Sequence, residues 1–273
     1  MKAKKHWGQN FLVNEKIVNK ITKAADLKSA DLVLEIGPGK GILTEELSKL
    51  ARKVIAVEID SELVLILQKK LVDRKNLFFI HGDILKINLP ELLKKSFKNP
   101  DEYKVVANIP YYITGPILRL LLETELPPCE IVLMVQKEVA ERITARPGKM
   151  SLLAISVQYY GDAEILFPVP KESFSPQPEV DSAVIKISLN RNQGTVNSNS
   201  RHDFFRVVRA GFSAKRKTLA NNLASGFHLD KKSVENLLKI NAFDTKVRAQ
   251  ELRIDDWKKL SFLIQRWIAN SKK

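Results

Sequence analysis

Residues 35–41 read Glu35-Ile36-Gly37-Pro38-Gly39-Lys40-Gly41, directly after the apolar run Leu32-Val33-Leu34. A short apolar run followed by closely spaced glycines predicts a strand that turns tightly into a helix. Glycine in such a turn admits positive φ and lets a ligand approach where a Cβ would stand. The spacing is G-x-G-x-G, not the G-x-G-x-x-G of dinucleotide sites. Pro38 removes one backbone N–H from the loop, whereas a pyrophosphate cradle is built from such donors. The loop therefore reads as the seat of an uncharged or cationic part of a nucleotide-like cofactor.

Working outward, apolar runs near 54–59, 77–80, 104–107 and 130–135 predict further strands, and helical period covers 41–50, 62–72, 90–97, 115–124 and 137–145. Two more strands are expected near 152–159 and 180–189. Strands alternating with helices imply an α/β fold with a mostly parallel, doubly wound sheet. Ahead of it lie a basic arm and a helix over 15–25. The run Arg191–Ser200 is polar, with turn chemistry throughout, and reads as a linker. Beyond it, helical period recurs at 202–212, 215–225, 231–239 and 255–269. The expected organisation is an arm and first helix over 1–30, a cofactor-binding domain over 31–190, a linker over 191–200 and a small all-helical domain over 201–273.

Net charge is +14 over 273 residues. Residues 186–273 hold 19 Lys/Arg against 7 Asp/Glu, and residues 1–30 hold 7 against 2, so the middle of the chain is near neutral. Basic ends around a neutral core suggest polyanion-binding surfaces attached to a cofactor site. Phosphate neutralisation supplies most non-specific nucleic-acid affinity. Cys129 is the only cysteine, which excludes an intrachain disulfide and a cysteine-based zinc site. No metal site is expected. No apolar run approaches a membrane span, and the N-terminus lacks the apolar core of a signal peptide. A cytoplasmic protein fits.

In open parallel sheets, ligands sit outside the carboxyl ends of the strands. Four such ends carry glycine or polar signals: Gly37, Glu58, Asp83 and Asn108. Glu58 follows Gly37 at about the 20-residue interval of an acid that accepts hydrogen bonds from ribose hydroxyls. Asp83, after the third strand, is placed to accept from an adenine amine. Asn108-Ile109-Pro110-Tyr111 is the sharpest signal. The residue before proline avoids the helical region, so the turn can present the Asn108 and Pro110 acceptors to one point, with Tyr111 as a stacking face. Phe174, in the stiff loop Phe174-Ser-Pro-Gln-Pro-Glu-Val180, is a candidate second stacking wall.

Taken in order, Gly8–Leu12, Glu35–Thr44, Glu58–Asp60, Gly82-Asp83, Asn108–Tyr111, Phe174–Val184 and Lys215–Leu223 resemble the motifs of the small-subunit ribosomal RNA adenine dimethyltransferases. The resemblance spans nearly the whole chain. It implies a Rossmann-like class I methyltransferase domain followed by a helical RNA-binding domain. It further implies S-adenosylmethionine as methyl donor, with Asn10, Leu12, Gly37, Glu58, Asp83 and Asn108 lining its pocket. Asn10 stands where the family often has histidine. The target is a pair of adjacent adenosines near the 3′ end of small-subunit rRNA, each taken to N6,N6-dimethyladenosine. Asn108, Pro110, Tyr111 and Phe174 are then the residues around the reacting amine, without a strong general base. Lys4, Lys5, Arg206, Arg209, Lys215, Arg216 and Lys217 are candidate phosphate contacts, and an immature small subunit bound by a monomer is the expected partner. Three rivals share parts of this pattern: the large-subunit rRNA methyltransferases of macrolide resistance, a ribosome-assembly factor without catalysis, and a nicotinamide dehydrogenase. The stretch Leu133–Gly148 resembles the small-subunit family, the intact Asn108–Tyr111 turn argues for catalysis, and G-x-G-x-G with a basic tail argues against a dehydrogenase.

Overall fold

The computed structural model of the chain describes Lys4 and residues 7–97, 102–190 and 198–270. Lys5 and most of the expected linker lie outside the described residues. In chain order the elements are β1 (Phe11–Leu12), α1 (Glu15–Ala24), β2 (Leu32–Ile36), α2 (Ile42–Leu50), β3 (Lys53–Glu58), α3 (Ser61–Lys70), β4 (Leu77–His81), α4 (Leu89–Ser96), β5 (Tyr103–Asn108), α5 (Thr114–Glu123), β6 (Glu130–Gln136), α6 (Lys137–Ile143) and α7 (Leu152–Gln158). They continue with β7 (Gly161–Val169), β8 (Phe174–Ser175), β9 (Ser182–Leu189), α8 (Ser198–Gly211), α9 (Leu219–Phe227), α10 (Lys231–Ile240) and α11 (Ile254–Asn270).

Seven strands form one sheet in the order β4-β3-β2-β5-β6-β9-β7. The first five are mutually parallel, and β9 runs antiparallel to both β6 and β7. Val33, Leu34, Val54 to Ala56, Val105, Val106 and Ile131 to Val135 are buried in these strands. Such continuous apolar runs are what a parallel sheet covered on both faces requires. The expected α/β class is what the structure shows. A separate two-stranded pairing joins β1 to β8, with Phe11 opposite Ser175 and Leu12 opposite Phe174. Two residues give no periodic signal, so sequence alone cannot announce this pairing.

The chain clusters into two compact units, residues 1–141 with 161–190, and residues 142–160 with 191–273. Two sequence expectations need correction here. The segment near 152–159 is the helix α7, and the strand is β7, which follows it. Ser151 caps α7 by accepting from the Ala154 amide at 3.2 Å. A short apolar run does not distinguish a buried strand from a buried helix. In β7, Pro168 and a register irregularity between Ile165 and Phe167 hide the strand, as befits an edge position. The helix expected over 215–225 starts at Leu219, because extended Thr218 caps it.

The helical unit is built around Trp257, which is fully buried and stacked on Phe212 with ring centroids 5.3 Å apart. A Cβ at Gly211 would run into that indole. Tyr159, Phe204 and Phe205 pack beside it in the same core. Asn222, buried on α9, donates to the Gly211 and Ala214 carbonyls at 2.6 and 3.0 Å. It thereby pins the turn that exposes Lys215, Arg216 and Lys217.

Candidate active site

The strand order reverses between β2 and β5, and the crevice at the carboxyl ends of such a pair is where ligands bind in open α/β sheets. The glycine loop leaves β2 on one side of it, and Asn108 ends β5 on the other. Gly37 has φ +68°, and a Cβ there would stand 3.8 Å from the Asn108 carbonyl oxygen. Gly41 has φ +80°, and a Cβ there would strike Leu67 of α3. Glycine at these positions lets loop and helix close onto their neighbours.

Glu58, at the end of β3, straps the loop. Its Oε2 accepts from the Gly39 amide at 3.1 Å and its Oε1 from the Asp60 amide at 3.0 Å. Each carboxylate oxygen keeps a further lone pair. Burial pushes the Glu58 carboxyl up, and these backbone donors partly hold it down. Asp60 is also buried. It N-caps α3 through the Glu62 amide (3.1 Å), accepts from Gln9 Nε2 (3.2 Å) and pairs with Lys4 Nζ (3.0 Å). Burial pulls the Asp60 carboxyl upward, but Lys4, Gln9 and the Glu62 amide outweigh it and hold it below the usual range. The N-terminal arm is therefore anchored beside Glu58. Lys4 also reaches Glu62 at 3.4 Å, so its charge is engaged within the fold. Asp83 accepts from the Leu85 amide at 3.0 Å and remains partly exposed after β4.

The Asn108 side chain makes no hydrogen bond among the described residues. Pro110 follows in extended conformation, and its carbonyl accepts from the Ile113 amide at 3.2 Å, which leaves one lone pair. Tyr111 is fixed by a 2.6 Å hydrogen bond between its hydroxyl and Ser182 Oγ. Burial raises its phenol pKa, so it stays neutral.

Two cavities meet here. One, of about 270 Å³, is lined by the glycine loop, Glu35, Glu58, Asp83 and Asn108 to Ile113, and closed by Trp7 to Leu12. The second is a groove between Lys40, Tyr111, Gln136 and Ser175 to Val180. Gly8 to Phe11, Lys40 and Tyr111 line both and so form the wall between them. Asn10, Leu12, Gly37, Glu58, Asp83, Asn108, Pro110 and Tyr111 are thus brought together around the first cavity. Phe174 is not. It is 4% exposed, sits in the core opposite Leu12, and lines neither cavity. Arg206 and Arg209 are exposed three residues apart on α8, whereas Lys215 to Lys217 are exposed on the turn before α9 rather than on a helical face.

Glu35 is the residue the motif reading passed over. It is 1% exposed and its Oε2 has no hydrogen-bond partner. Burial drives its carboxyl up to about 8, eased by the adjacent Thr44 hydroxyl and reinforced by Glu58, although Thr44 Oγ1 completes no well-formed hydrogen bond. The available signal was an acid inside an apolar strand. The cavity thus offers acceptors and apolar walls: ribose-type acceptors at Glu58, an amine acceptor at Asp83, and the buried Glu35 carboxyl in its lining. An adenosyl sulfonium fits that set.

Such a sheet, glycine loop and row of strand-end acids define a Rossmann-like class I methyltransferase. The chain matches the ribosomal RNA adenine dimethylase family over residues 1–266, and it belongs to that family. It is 46% identical over 261 residues to the ribosomal RNA small subunit methyltransferase A of Dehalococcoides mccartyi, covering 95% of this chain and 88% of the relative. Among solved structures, it resembles a dimethyladenosine transferase from Plasmodium falciparum, with a TM-score of 0.77, 30% identity and coverage of 93% and 96% of the two chains. It also resembles the 23S rRNA methyltransferase ErmE, with a TM-score of 0.75, 26% identity and coverage of 94% and 100%.

Proposed function

We propose that this chain dimethylates the N6 amines of two adjacent adenosines near the 3′ end of small-subunit rRNA, using S-adenosylmethionine. The observation that carries this reading is the Asn108–Tyr111 turn, whose acceptors line the cofactor cavity and whose Tyr111 ring lines both that cavity and the groove. The identity to a small-subunit methyltransferase, well above that to the large-subunit enzyme ErmE, favours the small subunit as target.

S-adenosylmethionine supplies an electrophilic methyl on a sulfonium. Glu58 accepts from its ribose hydroxyls, Asp83 from its adenine amine, and Asn10, Leu12, Gly37 and Asn108 complete the pocket. The target base enters the groove and stacks on Tyr111. An adenine amine is a poor nucleophile, because its lone pair is delocalised into the ring. The Asn108 side-chain oxygen and the free lone pair of the Pro110 carbonyl hold the amine hydrogens and turn the nitrogen towards the methyl. Catalysis is then mostly positioning of a flipped base. The same acceptors must release one hydrogen for the second methylation. Phe174 supports this arrangement from below, by fixing β1 against β8, and Lys4 by anchoring the arm. Arg206, Arg209, Lys215, Arg216 and Lys217 meet RNA phosphates, which positions the substrate without reading its sequence. Among the described residues no helix is long and apolar enough to cross a membrane. We place the action of a monomer on an immature subunit in the cytoplasm.

Transfer of labelled methyl groups to unmodified small-subunit particles, compared with large-subunit RNA, tests the assignment. Label confined to the small subunit is expected. Label confined to large-subunit RNA, or RNA binding without any transfer, overturns it.

A further inference from the structure

Tyr112 is a large aromatic side chain left mostly in solvent. It is 61% exposed at the rim of the cofactor cavity, and its hydroxyl makes no hydrogen bond among the described residues. It follows Tyr111 on a single turn of 3-10 helix, residues 111–113. Successive residues on such a turn point about 120° apart. Tyr111 is drawn inward to Ser182, while Tyr112 stands out towards solvent. Its ring is nevertheless held. A Cβ at Gly8 would lie 3.2 Å from two of its ring carbons, and Gly8 has φ +59°, so the arm offers the ring a bare backbone to lie against. A large, flat, oriented aromatic group is thus displayed at the cofactor cavity, one residue on from Tyr111, whose ring also lines the groove.

We propose that Tyr112 is the stacking platform for the nucleotide next to the adenosine being methylated. The inference rests on the reading of the site as an RNA adenine methyltransferase. Flipping one base strips its neighbour of a stacking partner, and that unstacking costs free energy. An aromatic side chain that restores the lost stack lowers that cost and favours substrates whose neighbour is a purine. With two adjacent adenosine targets and a platform on one side of the pocket, one adenosine serves as the stacked neighbour while the other occupies the pocket, and the nucleotide flanking the pair does so in the second round. Tyr112 is a positioning residue here, since the chemistry stays with the Asn108 turn.

The test uses the full chain and small-subunit RNA carrying 2-aminopurine at either position adjoining the target adenosine. Wild type is expected to methylate this RNA and to change the fluorescence of one of the two probes on binding. Tyr112→Ala is expected to lose that change and to raise the KM for RNA about tenfold, the scale of one lost base–aromatic stack, with the affinity for S-adenosylmethionine unchanged. Tyr112→Phe and Tyr112→Trp should restore both readouts, and Tyr112→Leu neither. Wild-type fluorescence and KM retained in Tyr112→Ala would overturn the proposal and leave the methyltransferase reading intact, as would a variant that weakens only cofactor binding. Absence of methyl transfer by wild type would overturn both.

Discussion

The two rims of the sheet spend their polar groups in opposite ways. At the amino ends of the strands, Lys104 Nζ donates to the Ala25 and Asp26 carbonyls at 3.0 Å each and pairs with Asp31 at 3.1 Å. Glu130 is held by Lys186 at 2.5 Å, and Tyr103 donates to the Leu126 carbonyl at 2.9 Å. These groups close the ends of helices and loops. At the carboxyl ends, Glu35 has an unpartnered oxygen, Glu58 keeps free lone pairs, and the Asn108 side chain bonds to nothing described. One rim holds the fold together and the other holds acceptors in reserve. Each rim buries a carboxylate oxygen without a hydrogen-bond partner, Glu130 Oε1 at one and Glu35 Oε2 at the other. Glu130, however, lies against Lys186 and Lys104, whereas Glu35 has no ion pair among the described residues. A buried polar group left so is costly, which marks the carboxyl rim as the place where something else completes it.

The contrast breaks most easily at Asn108. Asn108→Ala should lower kcat/KM for methyl transfer about 10²–10³-fold, the scale of removing one positioned transition-state hydrogen-bond partner, while the melting temperature stays near wild type. An equal loss of stability would mean that this rim, too, is structural. Glu35→Gln probes the opposite property. A carboxyl raised to about 8 in the fold, against 4.5 in the unfolded chain, binds its proton more tightly when folded. Its contribution is full below pH 4.5 and is lost as pH rises towards 8. Cofactor-free Glu35→Gln should therefore nearly match wild type near pH 4.5 and exceed it at pH 8 by on the order of 4 kcal/mol, as read from denaturant melts at the two pH values.

At the other rim, Lys104→Ala should cost about 2 kcal/mol of stability through its lost charge-assisted hydrogen bonds. Its affinity for S-adenosylmethionine, measured by calorimetry at a temperature where the variant is folded, should not change. The smallest effect is expected from Arg206→Ala. It should weaken RNA binding only a few-fold and reduce the slope of log K against log salt by slightly under one charge. A change in methylation rate at saturating RNA would contradict a role confined to phosphate contact.

Much of the carboxyl rim was legible in the sequence because each of its residues ends a strand and the strands are apolar runs. Gly37, Glu58, Asp83 and Asn108 needed only the parallel topology to be brought to one crevice. What stayed hidden depends on pairing across the chain. β1 meets β8 through two residues, and that pairing carries Phe174 into the core rather than into the groove. Lys4 read as a free cation until Asp60, 56 residues on, proved to be its partner. The helix α7 read as a strand because apolar residues on every side carry no period, and its burial belongs to the helical unit. Glu35 was in view throughout, but its protonation is set by three-dimensional burial, which no spacing reveals.

The central claim is that the Asn108 turn directs methyl groups to adenosines of the small subunit. Mass mapping of rRNA from cells that lack this protein, and from the same cells supplied with wild type or Asn108→Ala, tests it most directly. Two adjacent N6,N6-dimethyladenosines near the 3′ end of small-subunit rRNA should return with wild type and not with Asn108→Ala. Their return with the variant, or a dimethyladenosine confined to large-subunit rRNA, would contradict the account.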